Sequence, residues 1–233
     1  MKEKIAEHLN VVKDFTPQKF IEYFANQYSD KIIFASSMGM EDQVITDMIS
    51  KANLSHIEII TIDTGRLFTE TYDLISRTCS KYKLKIKVLF PDYKDVEQMV
   101  YEHGINLFYN SIESRKLCCE IRKVKPFQRA LQGNDVWISG LRKSQSVTRN
   151  NIELVEWDNK NKLIKVNPLL NWSFEDVKTY IKNNNVPYNP LHDKHYPSIG
   201  CQPCTREVMP GEDLRAGRWW WENPETKECG LNK

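Results

Sequence analysis

Short apolar segments alternate with helical patterns along the first part of the chain, and this alternation restricts the fold more than any other feature of the sequence. The apolar segments predict strands at Ile32 to Ala35, Ile57 to Ile62, Ile86 to Phe90 and Val136 to Ser139. The helical patterns between them cover Glu41 to Ala52, Thr69 to Tyr82 and, as part of a helix, Val96 to Glu102. Such alternation predicts an α/β fold in which helices cover a parallel sheet. In sheets of this kind, ligands bind at the carboxyl ends of the strands.

The pattern changes after residue 150, where a β-hairpin is predicted. Its strands are Ile152 to Trp157 and Leu163 to Val166. Ser173 and Asp176 have the spacing of a capping box that opens a helix. From Val186 onwards Pro and Gly are frequent and the periodicity fades, which indicates irregular structure. We find no repeat and no low-complexity linker, so we expect a single domain over residues 1–233.

Charge and composition exclude several classes of protein. The 33 Lys and Arg residues nearly balance the 31 Asp and Glu residues, which excludes a dominant surface for nucleic acid. The 40% hydrophobic and 27% charged residues are typical of a globular protein. No apolar run approaches the ~20 residues that cross a bilayer, and the charged N-terminus lacks a secretory signal. We therefore expect a cytoplasmic protein that has no membrane segment.

Two polar segments directly follow predicted strands. The first, Ser36 to Gln43, contains Gly39 and small hydroxyl side chains at a strand-to-helix turn. Such a turn lets backbone N–H groups approach an anion, although a capped turn without a ligand explains it equally well. The second, Asp63 to Arg66, follows the next strand. Because neighbouring parallel strands end at the same edge of a sheet, the two segments predict a nucleotide crevice.

Six cysteines in a cytoplasmic chain indicate metal binding or catalysis before disulfides. Cys118 and Cys119, with Cys201 and Cys204, supply four thiolates, the number that a structural zinc or a 4Fe-4S cluster needs. Zinc usually takes its ligands from spaced pairs, so the adjacent pair favours a cluster. Four unrelated buried thiols are the alternative. Cys79 shares a helical face with apolar residues, and we interpret it as part of the core.

The sixth cysteine, Cys229, lies near the end of the chain, where no core is expected. Its thiol is either accidental or reactive, and reactivity requires nearby cations that lower its pKa from ~8.5. Arg206, Arg215 and Arg218 precede Cys229 closely in the sequence, although the sequence does not show whether they are near it in space. Two further basic groups, Arg122 with Lys123 and Arg142 with Lys143 and Arg149, are each either solvated surface or a site for phosphate or sulfate.

Six segments, spread over most of the chain, together form a highly specific pattern, although none of them is specific alone. They are Thr61 to Leu67, Cys118 to Val124, Gly140 to Arg149, Tyr196 to Arg206, Gly211 to Glu222 and Glu228 to Leu231. As a set they closely resemble the assimilatory sulfonucleotide reductases, and within that family the iron-sulfur adenylyl-sulfate (APS) reductases. The chain departs from the family at Asn232, where a histidine is usual.

The resemblance implies an α/β fold of the adenine nucleotide alpha-hydrolase-like (PP-loop) type. It implies a nucleotide-binding and cluster core at about 30–205 and a mobile, irregular C-terminal segment at about 206–233 that bears the nucleophile, Cys229. One 4Fe-4S cluster is implied on Cys118, Cys119, Cys201 and Cys204. Lys123, Arg215 and Arg218 are implied to hold the sulfate. The implied nucleotide contacts are Ser36, Ser37, Gly39, Glu41, Asp63, Thr64, Gly65, Arg142 and Arg149.

The implied reaction is the thioredoxin-dependent reduction of adenosine 5'-phosphosulfate to sulfite and AMP in assimilatory sulfate reduction. Cys229 attacks the sulfur and AMP leaves, after which a thioredoxin or a glutaredoxin-like thiol donor releases sulfite from the cysteine S-sulfonate. The nearest alternative is a reductase of 3'-phosphoadenosine 5'-phosphosulfate (PAPS), or one that accepts both nucleotides. A more distant alternative is a non-catalytic, zinc-stabilised nucleotide-binding module. The sequence leaves open whether the protein is a homo-oligomer.

Overall fold

The computed structural model describes residues 2–145, 152–227 and 230–231. Arg149, Cys229 and Asn232 lie outside these ranges. The roles that the sequence analysis gives to these three residues therefore stay predictions.

Within the described ranges, the chain forms eight α-helices and six strands. The helices are α1 (Lys2–Val12), α2 (Pro17–Tyr28), α3 (Met40–Lys51), α4 (Thr69–Tyr82), α5 (Tyr93–His103), α6 (Ile112–Cys119), α7 (Lys125–Leu131) and α8 (Phe174–Asn184). The strands are β1 (Ile32–Ala35), β2 (Glu58–Ile62), β3 (Lys87–Leu89), β4 (Val136–Ile138), β5 (Val155–Asp158) and β6 (Leu163–Val166). A π-helical turn, Glu120–Val124, joins α6 to α7. None of these helices is long and apolar enough to cross a membrane.

The described strands form one sheet in the order β3-β2-β1-β4-β6-β5. β1 pairs in parallel with β2 and with β4, and Phe34 lies opposite Ile59 on one side and Ile138 on the other. β4 also pairs in parallel with β6, whereas β5 and β6 are antiparallel and form the predicted hairpin. The prediction of a mainly parallel sheet is therefore confirmed. The sequence does not predict that the hairpin extends this sheet beside β4.

Helix starts follow local capping signals. The Thr16 side chain accepts a hydrogen bond from Lys19 N–H before the proline at the start of α2. Ser173 and Asp176 form the predicted capping box at the start of α8. Helix α1 is not predicted from the sequence, because its residues are mostly polar and only His8 and Val12 are buried.

The chain divides into two compact units, each assembled from three segments. The first comprises Met1–Thr61, Asp73–Lys87 and Gly133–Asn189, and the second comprises Ile62–Tyr72, Val88–Gln132 and Pro190–Lys233. In the first unit, apolar residues of α2, α3 and α8 pack with strand residues such as Phe34 and Ile138. In the second unit, a separate apolar group contains Met99, Phe108 and Trp219. Because the units alternate along the chain, no linker marks their boundaries in the sequence.

Candidate functional site

The loop that follows β1 is built around one buried carboxylate, Asp42. Ser37 donates two hydrogen bonds to Asp42 Oδ2, from its backbone N–H and from its hydroxyl, each 2.6 Å long. The buried Ser36 hydroxyl accepts a hydrogen bond from Met38 N–H at 3.1 Å. Met38 has φ +62°, in the left-handed region that favours glycine. The shape of the loop is therefore set by its own side chains.

The loop that follows β4 meets this first loop, because β1 and β4 are parallel neighbours and end at the same edge. Arg142 Nη2 lies 2.7 Å from Glu41 Oε1, and Arg142 Nε donates to the same oxygen at 2.8 Å. Gly140 lies so close to Asp42 that a Cβ at this position would overlap the carboxylate. The site residues that the structure brings to this edge are Ser36, Ser37, Gly39, Glu41 and Arg142.

Asp42 has a strongly perturbed pKa. Burial raises the pKa of Asp42 from 3.8 to about 6, although the Ser37 hydrogen bonds act in the opposite direction. The negative charge of Glu41 adds to the rise. At neutral pH the carboxylate is therefore ionised at a cost to the stability of the fold.

We expect Asp42→Asn to stabilise the protein most at pH 8 and less at pH 5. The folded carboxyl holds its proton more tightly than the unfolded one, so the wild-type protein gains stability as the pH falls through about 6 towards 3.8. The full shift in pKa corresponds to about 3 kcal/mol in the free energy of unfolding, or several degrees in melting temperature. Melting curves at both pH values test this, with the exposed Asp14→Asn as the control. An Asp42→Asn variant destabilised equally at both pH values would show that the loop needs the charge itself.

In the second unit, the loop that follows β2 is organised by Asp63. Asp63 Oδ1 accepts hydrogen bonds from Gly65 N–H at 2.7 Å and from the Tyr72 hydroxyl at 2.9 Å. Burial and the bond to Asp63 raise the pKa of Tyr72 to about 12, so this phenol stays protonated. The Thr64 carbonyl accepts a hydrogen bond from Arg122 Nη1 at 2.8 Å. The loop is thus fixed from both sides before it meets a substrate.

Four of the predicted cysteines belong to one apolar group in the second unit. Cys118 and Cys119 end α6, while Cys201 precedes and Cys204 ends the short turn Gln202–Cys204. All four belong to one apolar group, in which Cys118 and Cys204 are buried and the other two are partly buried. All four are free thiols. We call these residues the cysteine group.

The thiols of the cysteine group resist ionisation. Burial raises the pKa of Cys204, and the other three thiols raise it further. Burial also raises the pKa of Cys118, while the neighbouring Arg122 opposes this rise. Thiolates in such a place need a positive partner, and a bound metal supplies that charge. The chemistry of the cysteine group therefore fits a cofactor that binds through four thiolates.

Among the described residues, no three His, Cys, Asp or Glu side chains converge closely enough to hold a metal ion. A single zinc ion keeps its sulfur ligands about 2.3 Å from the metal. In a 4Fe-4S cluster, each cysteine binds a different iron, so the ligand sulfurs stand further apart. Four thiolates are the donor set that either kind of group uses.

Arg218 packs beside the cysteine group with one donor unused. Its guanidinium lies 4.7 Å from the centroid of the Trp219 ring, and a Cβ on Gly200 would overlap it. Nη1 makes two long contacts, 3.4 Å to the Ser198 hydroxyl and 3.3 Å to the Ile199 carbonyl. The buried Nε has no hydrogen-bond partner among the described residues. Because an unpaired buried donor is costly, Nε indicates a site for an external acceptor.

The other two predicted sulfate-binding cations also lie in the second unit. Lys123 lies in the π-helical turn, is partly buried, and forms no hydrogen bond or ion pair with the part of the chain that the structure describes. Arg215 Nη2 donates to the Lys227 carbonyl at 2.7 Å. Arg215 therefore contacts the chain two residues before Cys229.

A buried ion pair that the sequence analysis missed lies beside the cysteine group. Arg115 Nε and Nη2 donate to Glu222 Oε1 and Oε2, each at 2.7 Å, and the two side chains are 0% and 1% exposed. Burial disfavours the charged guanidinium, but the hydrogen bonds of Glu222 and Cys119 outweigh it and raise the pKa of Arg115. The only signal in the sequence is that Arg115 stands four residues before Cys119, one helical turn away.

Comparison with known proteins gives one consistent family. Residues 31–207 match the family model described as "Phosphoadenosine phosphosulfate reductase domain". The adenosine 5'-phosphosulfate reductase of Allochromatium vinosum is 50% identical over 204 residues, which cover 88% of this chain and 79% of that protein. The adenosine 5'-phosphosulfate reductase of Neisseria meningitidis serogroup B is 50% identical over 201 residues, which cover 86% of this chain and 81% of that protein.

Solved structures agree with the fold. The phosphoadenylyl-sulfate (PAPS) reductase of Candida auris, solved as a phosphate complex, has a TM-score of 0.75 and 32% identity, and the match covers 89% of this chain and 98% of that chain. The FMN adenylyltransferase of Candida glabrata, in complex with FAD and inorganic pyrophosphate, has a TM-score of 0.57 and 16% identity over 97% of this chain and 77% of that chain. The second likeness shows the fold alone. The predicted α/β fold of the PP-loop type is confirmed.

Proposed function

The chain belongs to the phosphoadenosine phosphosulfate reductase family, and from this membership we propose that it reduces adenosine 5'-phosphosulfate (APS) to sulfite and AMP in sulfate assimilation. It is an oxidoreductase that acts on a sulfur group. Its thiol donor is a thioredoxin or a glutaredoxin-like protein. The reaction takes place in the cytoplasm, where thiols stay reduced.

One observation carries the assignment to the iron-sulfur type. Cys118 and Cys119 come from one part of the chain and Cys201 and Cys204 from another, yet all four pack in a single apolar group. We assign one 4Fe-4S cluster to these four cysteines. When bound, the cluster supplies a fixed electrostatic environment beside the reacting anion, and it is not required to pass electrons.

We assign the role of nucleophile to Cys229. Its thiolate attacks the sulfur of APS, and the bond from sulfur to the bridging oxygen breaks, so that AMP leaves with the electron pair. A donor thiolate then attacks Sγ of the resulting S-sulfonate, and sulfite leaves. The second thiol of the donor resolves the mixed disulfide and restores Cys229. The donor dithiol is thereby oxidised to a disulfide and provides the two electrons that reduce the sulfur.

Lys123, Arg215 and Arg218 are assigned to the sulfate oxygens. Cations beside the sulfate neutralise the negative charge of its oxygens, which otherwise repels the thiolate. They thereby lower the barrier to attack. The assignment of Arg218 is supported by its unpaired buried Nε, and that of Lys123 by a side chain without an ion pair among the described residues. Arg215 has a further contact with the Lys227 carbonyl, so it also holds the chain that leads to Cys229.

Residues of the loops that follow β1, β2 and β4 are assigned to the nucleotide. The residues are Ser36, Ser37, Gly39, Glu41, Asp63, Thr64, Gly65, Arg142 and Arg149. The position of Ser36, Ser37 and Arg142 after parallel strands β1 and β4 supports this assignment. Glu41 and Arg142 neutralise each other, so they form a wall of the site and do not provide a net charge for phosphate.

PAPS is a second candidate substrate. The PAPS reductase of Candida auris matches 89% of this chain at 32% identity, which favours a shared mode of nucleotide binding. The APS reductases of two bacteria reach 50% identity. We therefore propose APS as the preferred nucleotide.

Anaerobically purified protein, supplied with reduced thioredoxin, should release AMP and sulfite in equal amounts from APS. From PAPS it should release 3'-phosphoadenosine 5'-phosphate and sulfite, more slowly. The same preparation should contain about four irons and about four labile sulfides per chain. Sulfite release from PAPS alone would transfer the assignment to that nucleotide. Zinc without iron in active protein would overturn the cluster.

A further inference from the structure

We propose that Arg115 is a positioning residue that couples the cysteine group to the chain that leads to the nucleophile. This inference rests on the proposed function in two respects, because it takes Cys229 as the nucleophile and the cysteine group as the ligands of the cluster. Its remaining observations are contacts within the second unit. Arg115 and Glu222 themselves have no assigned part in the reaction described above.

Arg115 contacts four residues through one guanidinium, one on its own helix and three in the C-terminal part of the chain. Its side chain hydrogen-bonds with Cys119, one turn further along α6. Nε and Nη2 hold both carboxylate oxygens of Glu222, and Nη2 also donates to the Thr226 carbonyl at 2.8 Å. The guanidinium lies 4.7 Å from the centroid of the Trp219 ring, which restricts its plane. A change in the position of Cys119 therefore acts on Glu222 and Thr226 through one rigid group.

The chain beyond Glu222 is fixed up to Lys227. The Thr226 hydroxyl donates to Glu222 Oε2 at 2.9 Å, and Arg215 Nη2 donates to the Lys227 carbonyl at 2.7 Å. Two consecutive carbonyls, those of residues 226 and 227, are thus each held by an arginine. Two residues of extended chain span at most about 7 Å. The position of Lys227 therefore limits the space that Cys229 can reach.

The burial of this pair distinguishes it from an ordinary surface contact. A second arginine and carboxylate of the same unit, Arg206 and Glu212, also pair through two hydrogen bonds, of 2.8 and 2.7 Å. Their side chains are 34% and 33% exposed, and such pairs contribute little. The Arg115 pair is fully buried, so the removal of one partner leaves a charge that no solvent compensates. Arg115 therefore holds Glu222 with an ion pair that water cannot replace.

The test compares Glu222→Gln and Arg115→Lys with Glu212→Gln as the matched control. Without a thiol donor, the two Arg115-pair variants should form the S-sulfonate about 100-fold more slowly, the usual effect of a reacting group displaced by about 1 Å. Their affinity for AMP should stay at the wild-type value. Arg115→Lys should also shift the visible absorption of the cluster, because the donor to Cys119 changes, whereas Glu222→Gln should not. Glu212→Gln should match the wild type in every measurement.

Amide hydrogen exchange tests the coupling between Arg115 and the C-terminal chain independently of the reaction. The amides of residues 216–227 should exchange faster in both Arg115-pair variants than in the wild type or the control. Wild-type rates of both adduct formation and exchange in these variants would overturn the proposal, and so would an equal loss of AMP affinity and rate. A wild-type protein that forms no adduct would instead refute the proposed function. The exchange result would still decide whether Arg115 holds this chain.

Discussion

Cys229→Ser is expected to bind APS and to form no S-sulfonate, the largest effect of any substitution considered for this protein. A serine hydroxyl is far less nucleophilic than a thiolate at neutral pH, so the first step stops while the nucleotide site is unchanged. Wild-type protein incubated with APS and no thiol donor should release one AMP per chain. It should also carry the mass of one SO3 group on its C-terminal peptide. Reduced thioredoxin should then discharge this group as sulfite.

Cys79→Ser is the matched control for that experiment. Cys79 lies in α4 in the first unit and is a partly buried free thiol outside the cysteine group. Its replacement should leave adduct formation at the wild-type rate. An adduct on Cys79, or turnover by Cys229→Ser, would contradict the mechanism.

Periodicity predicts most of the sheet because buried strands and amphipathic helices have signatures within a few residues. The bounds of α4, Thr69–Tyr82, match the prediction, and β1 matches at Ile32–Ala35. The sequence does not predict the π-helical turn after Cys119, because such a turn depends on what the inward-facing Ile121 and Arg122 pack against. The placement of β6 beside β4 is missed for the same reason, since strand order depends on long-range pairing.

In the candidate site too, some features can be predicted from the local sequence, whereas others depend on contacts between distant parts of the chain. Adjacent and spaced cysteines are visible in the sequence, and the structure brings these four into one apolar group. The partners of the charged residues are not visible there. The Arg115 pair joins residues 107 positions apart, and Asp42 owes its raised pKa to burial that only the folded chain creates. The boundaries of the two units cannot be predicted from the sequence either, because each unit is made of three separate segments of the chain.

Arg218→Ala should lower kcat/KM for APS by about 100- to 1,000-fold with the iron content retained, the usual loss when one charge-stabilising donor is removed. Within the described part of the chain, the buried Nε of Arg218 has no hydrogen-bond partner, and the guanidinium is held against Trp219, so this donor is fixed before substrate binds. Lys123→Ala should have an effect of similar size. Arg218→Lys should recover little, because an ammonium cannot replace the Nε donor and the planar fork.

The control for Arg218 is Arg206→Ala, which removes a positive charge from the same C-terminal region. Arg206 pairs with the exposed Glu212, so its loss should change kcat/KM only slightly. This comparison separates a specific donor from the general positive potential of the segment. Gly200→Ala adds a further test, since its Cβ would displace the Arg218 guanidinium while the charge is kept. A lower kcat/KM in Gly200→Ala would show that the position of the Arg218 guanidinium matters as well as its charge. A change in kcat/KM of less than tenfold in both Arg218→Ala and Lys123→Ala would place the sulfate elsewhere.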